Sequence, residues 1–266
     1  IMSAIPMYKA DNPKADYSKA YVRFTGTSMA SPHVAGVAAL ILQAHPDWTP
    51  FDVKVALMNT AKLLDTNKYD VFAQGAGRVQ AYDAVHPPFL AYSIDKAVLN
   101  ATGVLVDNKK GSVTFGMQPL SQGNISVTKK VIVKDILGKG GAYKVSVETK
   151  KSFGNAKVTV DKAAFTLKGE QVLNVKLIAS KNTEAMEDSE ILGYIHISNG
   201  AKRATLPFAA SFSPTKTVEV QNLQVTETDL SFNGDGKNDS ANITYRLTGG
   251  VGKNAIELWD LMNPGG

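Results

Sequence analysis

The sequence predicts a mixed fold: an α/β segment, then an antiparallel β-sandwich, then the start of a second β-domain. Residues 29–44 are apolar on every side, which is typical of a buried helix. From about residue 91 the apolar residues recur at every second position, the period of strands. Glycine, proline and asparagine turn signals separate these alternating runs, as in a sandwich. A length of 266 residues allows such domains at roughly 100–200 residues each.

Composition excludes several classes of protein. The chain has no cysteine, which excludes disulfide scaffolds, zinc–thiolate sites and thiol catalysis. No run of eighteen apolar residues exists, so no membrane span is expected. The chain opens on Ile1 with no basic segment before an apolar one, so no signal peptide is predicted.

The positive charge is concentrated in the middle of the chain. Residues 91–214 carry 17 Lys and Arg against 10 Asp and Glu, whereas residues 215–266 carry 4 against 7. This excess predicts either a solvated lysine-rich face or a surface for an anionic polymer such as cell wall. The lysines are scattered and not interleaved with aromatic residues, so no nucleic-acid partner is expected.

Two helices are predicted after the apolar one. Thr49 can cap the first of them, with Pro50 at its first helical position. An amphipathic stripe follows at Val53, Leu57, Ala61 and Leu64. A short third helix ends near Val85, and residues 86–88 (His-Pro-Pro) are expected to form a linker that few contacts cross.

About seven short strands are predicted between residues 89 and 214, in the style of immunoglobulin or fibronectin type III domains. The clearest alternating runs start at Tyr143, Leu173, Ile191 and Leu206. Pro214 is expected to close this domain, which should fold independently of residues 1–88. Residues 215–266 then form two β-like runs, too few strands to close a core.

An Asn-Gly-Asp-Gly loop lies between those last two runs. Asn233, Asp235 and Asp239 could bind calcium through oxygen ligands. A simple Asn-Gly or Asp-Gly turn explains the same residues. Calcium is therefore one possibility and a turn the other, and no other cofactor is expected.

Ser28 is the candidate nucleophile. It follows a short strand and Gly26 and opens the apolar helix, where free N–H groups and the positive end of the helix dipole can stabilise an oxyanion. Small neighbours let a substrate backbone approach closely. The alternative is that Ser28 is only an N-cap, a common role for serine.

The eleven residues from Gly26 to Gly36 (Gly-Thr-Ser-Met-Ala-Ser-Pro-His-Val-Ala-Gly) closely resemble the serine motif of the subtilisin-like proteases, the subtilases. Residues 1–3 and the segments 45–50, 59–61 and 75–79 resemble further parts of the same catalytic domain, in order. The likeness covers residues 1–88. Residues 89–214 resemble, more loosely, the fibronectin-like domain of large secreted subtilases of the minor extracellular protease type, and residues 215–266 resemble the start of an immunoglobulin-like domain.

The resemblance implies a secreted or cell-wall-associated endopeptidase that hydrolyses polypeptides through an acyl-enzyme on Ser28. It implies that Ser28 supplies an oxyanion donor from its own N–H, that Gly26, Thr27 and Met29 bind substrate, and that His33 belongs to the helix and is not the base. Subtilases carry their aspartate and histidine before the serine, and all four histidines here follow Ser28. The chain is therefore expected to be the carboxyl-terminal piece of a protease, inactive without its amino-terminal half.

Two other functions are considered. Gly26–Ala30 differs by one residue from the Gly-x-Ser-x-Gly elbow of α/β-hydrolases, but His86 and His196 occupy unsuitable positions for that triad, at a linker and in a strand. Alternatively, the chain is a binding or spacer module, since two β-domains and a basic surface make up most of it. Hydrolysis of a peptide substrate by the isolated chain distinguishes module from enzyme.

Overall fold

The computed structural model describes residues 2–5, 10, 13–14, 16, 20–99, 104–186, 188–200, 202–213, 220–231 and 233–248. Two short strands come first, β1 (Met2–Ala4) and β2 (Tyr21–Arg23), and they pair antiparallel. Four helices follow: α1 (Thr27–Ala44), α2 (Pro50–Asn59), α3 (Val71–Gln74) and α4 (Ala81–Val85). Within the described residues, none of the helices combines the length and apolarity that crossing a membrane requires.

The predicted cap of α2 is confirmed. The Thr49 hydroxyl accepts a hydrogen bond from the Asp52 N–H (3.2 Å), and the Asp52 carboxylate accepts one from the Thr49 N–H (2.9 Å). This reciprocal capping box satisfies two donors that the helix would otherwise leave unpaired. The helix ends at Asn59, so the predicted stripe is helical only at Val53 and Leu57.

Helix α1 forms as predicted, but the prediction that it is buried all round is wrong. Of its eighteen residues only Ile41 is buried. Its carboxyl-terminal half packs on Val53 of α2 and Ala84 of α4, whereas no described element covers the half that begins at Thr27. Apolar composition makes burial favourable, but it does not supply the covering surface.

Twelve strands follow the helices. Their bounds are β3 Leu90–Leu99, β4 Val104–Lys110, β5 Val113–Gln118, β6 Ile125–Lys134, β7 Gly141–Lys151, β8 Lys157–Val160, β9 Ala164–Leu167, β10 Glu170–Ala179, β11 Ser189–Ser198, β12 Arg203–Phe212, β13 Val220–Val225 and β14 Ile243–Leu247. Strands β3 to β12 form two five-stranded sheets, in the orders β4-β3-β6-β10-β8 and β5-β12-β11-β7-β9. One shared apolar cluster lies between them, with Phe115 and Phe208 from one sheet and Val131 and Leu173 from the other.

The prediction of a sandwich with alternating strands is thus correct, but two of its details are wrong. Strands β5 and β12 pair in parallel, so the sheets are not wholly antiparallel. Ten strands stand where about seven were predicted, because four-residue strands such as β8 and β9 are too short to show an alternation. The fibronectin type III likeness stays a prediction.

The junction at residues 86–88 is not a loose linker. Pro87 and Pro88 are buried. Val55 of α2 packs in a cluster with Leu90, Tyr92 and Ile132 of the sandwich. Helix α3 also packs on the outer face of the second sheet, in the cluster Val71, Leu192 and Tyr194. The expectation that few contacts cross this point is therefore wrong, since both sides bury apolar surface against each other.

Strands β13 and β14 lie within the two predicted β-like runs, and they pair antiparallel. The predicted boundary residue Pro214 and residues 249–266 lie outside the described residues. The division into residues 1–88, 89–214 and 215–266 stays a prediction.

Candidate active site

Ser28 is the second residue of α1, and it does not cap the helix. The capping position belongs to Gly26, which has φ 154° and accepts backbone hydrogen bonds from the N–H groups of Met29 (3.1 Å) and Ala30 (3.2 Å). No side chain makes the capping bond. The alternative that Ser28 is only an N-cap is therefore wrong, because its hydroxyl makes no capping bond to the helix.

The backbone around Ser28 has open polar groups. Among the described residues, no acceptor is found for the Ser28 N–H, as expected in the first turn of a helix. Pro32 lies four residues later and has no N–H, so it cannot form the usual helical bond to the Ser28 carbonyl. Ser28 and its neighbours Gly26 and Thr27 are exposed, and Met29 is half-buried. An N–H at this position can donate to an oxyanion forming on a carbonyl attacked by the hydroxyl.

The helix holding Ser28 is anchored at its far end. The His45 N–H donates to the Ile41 carbonyl (2.8 Å), and the His45 ring stacks on Trp48 with centroids 4.0 Å apart. Its Nε2 lies 2.7 Å from the carbonyl oxygen of Val85 in α4. The carboxyl-terminal half of α1 is thus fixed to α4, while the end bearing Ser28 projects outward.

All four histidines have partners other than Ser28. His33 Nδ1 lies 2.7 Å from the Met29 carbonyl oxygen, one helical turn back. His86 Nδ1 lies 3.0 Å from the Tyr82 carbonyl oxygen. His45 bonds α4, as described, and His196 bonds Glu148 (2.8 Å). His33 therefore interacts with its own helix, as the resemblance implied, although its side chain is exposed.

Two backbone segments approach each other closely between α2 and α4. Lys62 and Arg78 exchange two backbone hydrogen bonds, both 2.8 Å. Gly77 lies beside this bridge with φ 112°, and a Cβ there would lie 2.5 Å from the Lys62 carbonyl oxygen. Glycine is required at this position. The bridge ties the segment after α2 to the segment before α4.

A second polar cluster, which was not predicted from the sequence, lies on the outer face of the second sheet. His196 Nε2 bonds the Glu148 carboxylate, whose other oxygen accepts from Lys150 (2.6 Å). The Arg203 guanidinium contacts His196 Nδ1, and its Nε donates to the Thr205 hydroxyl (3.2 Å). These residues occupy alternate positions on β7, β11 and β12 that point away from the core. The alternation along each strand could have predicted that they lie on one face of the sheet.

Burial sets the protonation state of this cluster. It lowers the pKa of His196, because an imidazolium is poorly solvated there; the Arg203 charge adds to this and the Glu148 bond opposes it. The pKa of Glu148 is lowered by its hydrogen bonds from Lys150 and His196. His196 is therefore neutral at pH 7, donating from Nε2 to Glu148 and accepting at Nδ1 from Arg203.

The loop at residues 233–239 is closed by its own hydrogen bonds. Both carboxylate oxygens of Asp239 accept backbone N–H groups, from Gly234 (2.9 Å) and Gly236 (2.7 Å). Asp235 accepts from the Asn233 amide (3.1 Å) and the Lys237 N–H (2.8 Å). Within the described ranges, no group of three His, Cys, Asp or Glu residues could hold a metal ion. These bonds favour the interpretation of the loop as a simple turn. Calcium binding stays a prediction, which a calcium titration of the chain can test.

The family model described as "Subtilase family" matches residues 9–77, which include Ser28. Residues 9–77 are therefore similar to the subtilase family. In the curated proteins, the subtilisin-like protease SBT1.9 of Arabidopsis thaliana is 54% identical over 63 residues, 24% of this chain and 8% of its own length. The minor extracellular protease Vpr of Bacillus subtilis is 43% identical over 88 residues, 32% of this chain and 10% of its own. We call residues 9–77 the subtilase segment.

A longer match continues past the subtilase segment. The subtilisin-like protease SBT4.3 of Arabidopsis thaliana is 35% identical over 131 residues, covering 47% of this chain and 17% of its own. The matches thus span less than a fifth of each of these three relatives. Among solved structures, the periplasmic chaperone SfaE is matched over 52% of this chain and 86% of its own length. The sequence identity is 12% and the TM-score is 0.28, which is too low to indicate a shared fold.

Proposed function

We propose that the chain is part of a secreted serine endopeptidase in which Ser28 is the nucleophile. The observation that carries the proposal is the position of Ser28 within the subtilase segment, at the start of α1 with its hydroxyl free of any capping bond. The Ser28 Oγ attacks the peptide carbonyl, the peptide C–N bond then breaks, and water releases the acyl group. An extracellular location is supported by the similarity to the minor extracellular protease Vpr of Bacillus subtilis.

The neighbours of Ser28 take supporting roles in this proposal. The Ser28 N–H stabilises the oxyanion during attack. Gly26 has no side chain, so the substrate backbone can come close, while Thr27 and the half-buried Met29 lie on either side of the scissile bond. Polypeptides are the substrates, and no cofactor is required.

We further propose that the general base and its orienting carboxylate come from an amino-terminal segment of the parent protease. Each histidine described here bonds another group. The same segment would cover the exposed apolar side chains of α1, such as Val34 and Leu40, which are 39% and 50% exposed. The same amino-terminal segment would thus supply both the general base with its carboxylate and the apolar surface that covers α1.

A fluorophosphonate probe tests this proposal, because it labels only a serine activated by a base. The chain alone is expected to stay unlabelled. After refolding with the amino-terminal half of the parent protease, Ser28 should be labelled and a peptide substrate cleaved. Ser28→Ala should then lower the rate about 10⁴–10⁶-fold, whereas Ser31→Ala, one turn along the same helix, should not.

Two outcomes would count against the proposal. Stoichiometric labelling of Ser28 in the isolated chain would show that the base lies within it. A folded complex that cleaves equally well with Ser28→Ala would remove Ser28 as the nucleophile.

A second candidate function is that of a binding module for anionic cell wall. It is supported by the 17 basic against 10 acidic residues of segment 91–214. Binding of the chain to wall preparations is then expected to fall steeply between low and moderate salt. Binding that is absent or insensitive to salt would exclude this function and leave the protease proposal unaffected.

A further inference from the structure

A cavity of about 770 Å³ lies where the subtilase segment meets the sandwich. Its walls come from residues 59–63 at the end of α2 and just after it, from α4 and its flanks, from the turn at Lys139, and from residues at the start of β12. This volume lies within the range typical of sites for small molecules, about 300–1,000 Å³. Ser28 does not line this cavity.

The rim of the cavity is cationic. Lys62, Lys139, Lys202 and Arg203 all line it, against a single carboxylate, that of Asp83. Across the described ranges, none of these four cations forms an ion pair with a carboxylate, whereas Lys96, Lys129 and Lys151 elsewhere do. Four like charges around one concave site raise the local concentration of anions.

Arg203 is held in place before any ligand arrives. Its Nε donates to the Thr205 hydroxyl (3.2 Å) and its guanidinium contacts His196, which is in turn bonded to Glu148 (2.8 Å). Because these bonds fix the orientation of the guanidinium, less conformational entropy is lost when an oxyanion binds to its remaining N–H groups.

Buried polar side chains also line the cavity. Asn59, Thr60 and Thr205 are buried there. The Asn59 amide bonds the backbone of Ala91, and the Thr60 hydroxyl donates to the Ala56 carbonyl (2.7 Å). These three side chains are already hydrogen-bonded, so the lysines and Arg203 are the cationic donors that remain for a ligand.

We propose that this cavity binds a small ligand carrying two or more carboxylate or phosphate groups. Arg203 is the fixed anchor, and the flexible Lys62 and Lys202 close on the remaining oxyanions. The site joins the two parts of the chain, since its donors come from both. The proposal does not depend on the assignment of Ser28.

Isothermal titration of the full chain with citrate and with pyrophosphate at about 0.15 M salt tests the proposal and separates carboxylate from phosphate ligands. At least one of the two is expected to bind saturably at one site. The double variant Lys62→Gln/Lys202→Gln should weaken that binding at least about tenfold, because two charge-assisted contacts are lost. The matched control Lys130→Gln/Lys176→Gln removes the same charge from exposed positions on β6 and β10, which do not line the cavity. This control should change the affinity less than twofold.

Arg203→Lys is a third variant that keeps the charge but not the fork of donors, and it should weaken binding while leaving the melting temperature close to that of the parent chain. Two results would overturn the proposal: no saturable binding of either anion, or equal weakening in the cavity variant and the control variant, which would indicate general charge attraction.

Discussion

The side chain of Asn59 takes the place of a neighbouring strand for Ala91. Its Nδ2 donates to the Ala91 carbonyl (3.0 Å) and its Oδ1 accepts from the Ala91 N–H (2.7 Å). Strand β4 pairs with β3 only from Ser93 onward, so the edge of β3 at Ala91 would otherwise be unpaired. Asn59 itself is 1% exposed. The last residue of α2 thus fixes the subtilase segment to the sandwich.

Replacing Asn59 by alanine should destabilise the junction. Two buried backbone groups of Ala91 would lose their partner, which costs about 2–4 kcal/mol in free energy of unfolding. Urea denaturation measures this loss. Asn67→Ala, at an exposed position, is the control and should change stability by less than about 0.5 kcal/mol. A loss equal to that of the control would show that the bond contributes nothing.

Replacing Tyr194 by phenylalanine should leave the chain as stable or make it more stable. Among the described residues, the Tyr194 hydroxyl is the buried side-chain group without a hydrogen-bond partner. Removing this hydroxyl removes the cost of burying a polar group without a partner. The free energy of unfolding is therefore expected to rise by up to about 1 kcal/mol. Tyr143→Phe is the matched control, because that buried hydroxyl donates to the Gly140 carbonyl (3.4 Å). A rise in melting temperature for the control alone would contradict the prediction.

Stability should decrease as the pH falls below the usual pKa of histidine, 6.5. Burial lowers the pKa of His196 in the folded chain, so over the interval below 6.5 the unfolded chain binds more protons and is favoured. The lowered pKa of Glu148 extends the loss below pH 4.5. Urea denaturation between pH 7.5 and 5 measures the slope. His196→Gln should make the free energy of unfolding less dependent on pH, whereas the control His33→Gln, on α1, should not. An unchanged pH dependence in His196→Gln would show that other groups cause the loss of stability.

Replacing Gly193 by alanine should be strongly destabilising. The register between β11 and β7 shifts at Leu192/Gly193. A Cβ on Gly193 would lie 2.1 Å from the Glu148 carbonyl oxygen and 2.6 Å from the Phe208 ring. We expect a loss of at least about 2 kcal/mol, measured by urea denaturation. Gly123→Ala, with no atom within 4 Å of its Cβ, is the control. Comparable losses at both sites would contradict the steric argument.

The sandwich expressed alone, as residues 89–213, should melt cooperatively. Its main apolar cluster is formed entirely by residues 89–212. Its melting temperature should nonetheless be lower than that of the full chain, and it should bind a hydrophobic dye, because Leu90, Leu192 and Tyr194 lose their cover from α2 and α3. Circular dichroism on heating measures this. A gradual melt would show that the sandwich depends on residues 1–88 to fold.

Local features were predictable because their causes lie within a few residues. The Thr49–Asp52 capping box spans four positions, and the alternation in β7 and β10 reports one buried face of each strand. The position of Ser28 at the start of a helix followed from its motif in the same way. Strands such as β8 were missed because four residues give too short a pattern.

The sequence by itself determined helices α1, α2 and α4, the main strands of the sandwich and the candidate nucleophile, because caps, periodicity and a short motif depend on neighbouring residues. The four-residue helix α3 was not predicted. Only the tertiary structure decided that α1 stays largely exposed, that Asn59 bonds Ala91 32 positions away, and that Lys62 and Arg203 line one cavity. These relationships depend on which surfaces meet across the fold. A one-dimensional pattern records which side chains favour burial or pairing, but not which distant surface they meet.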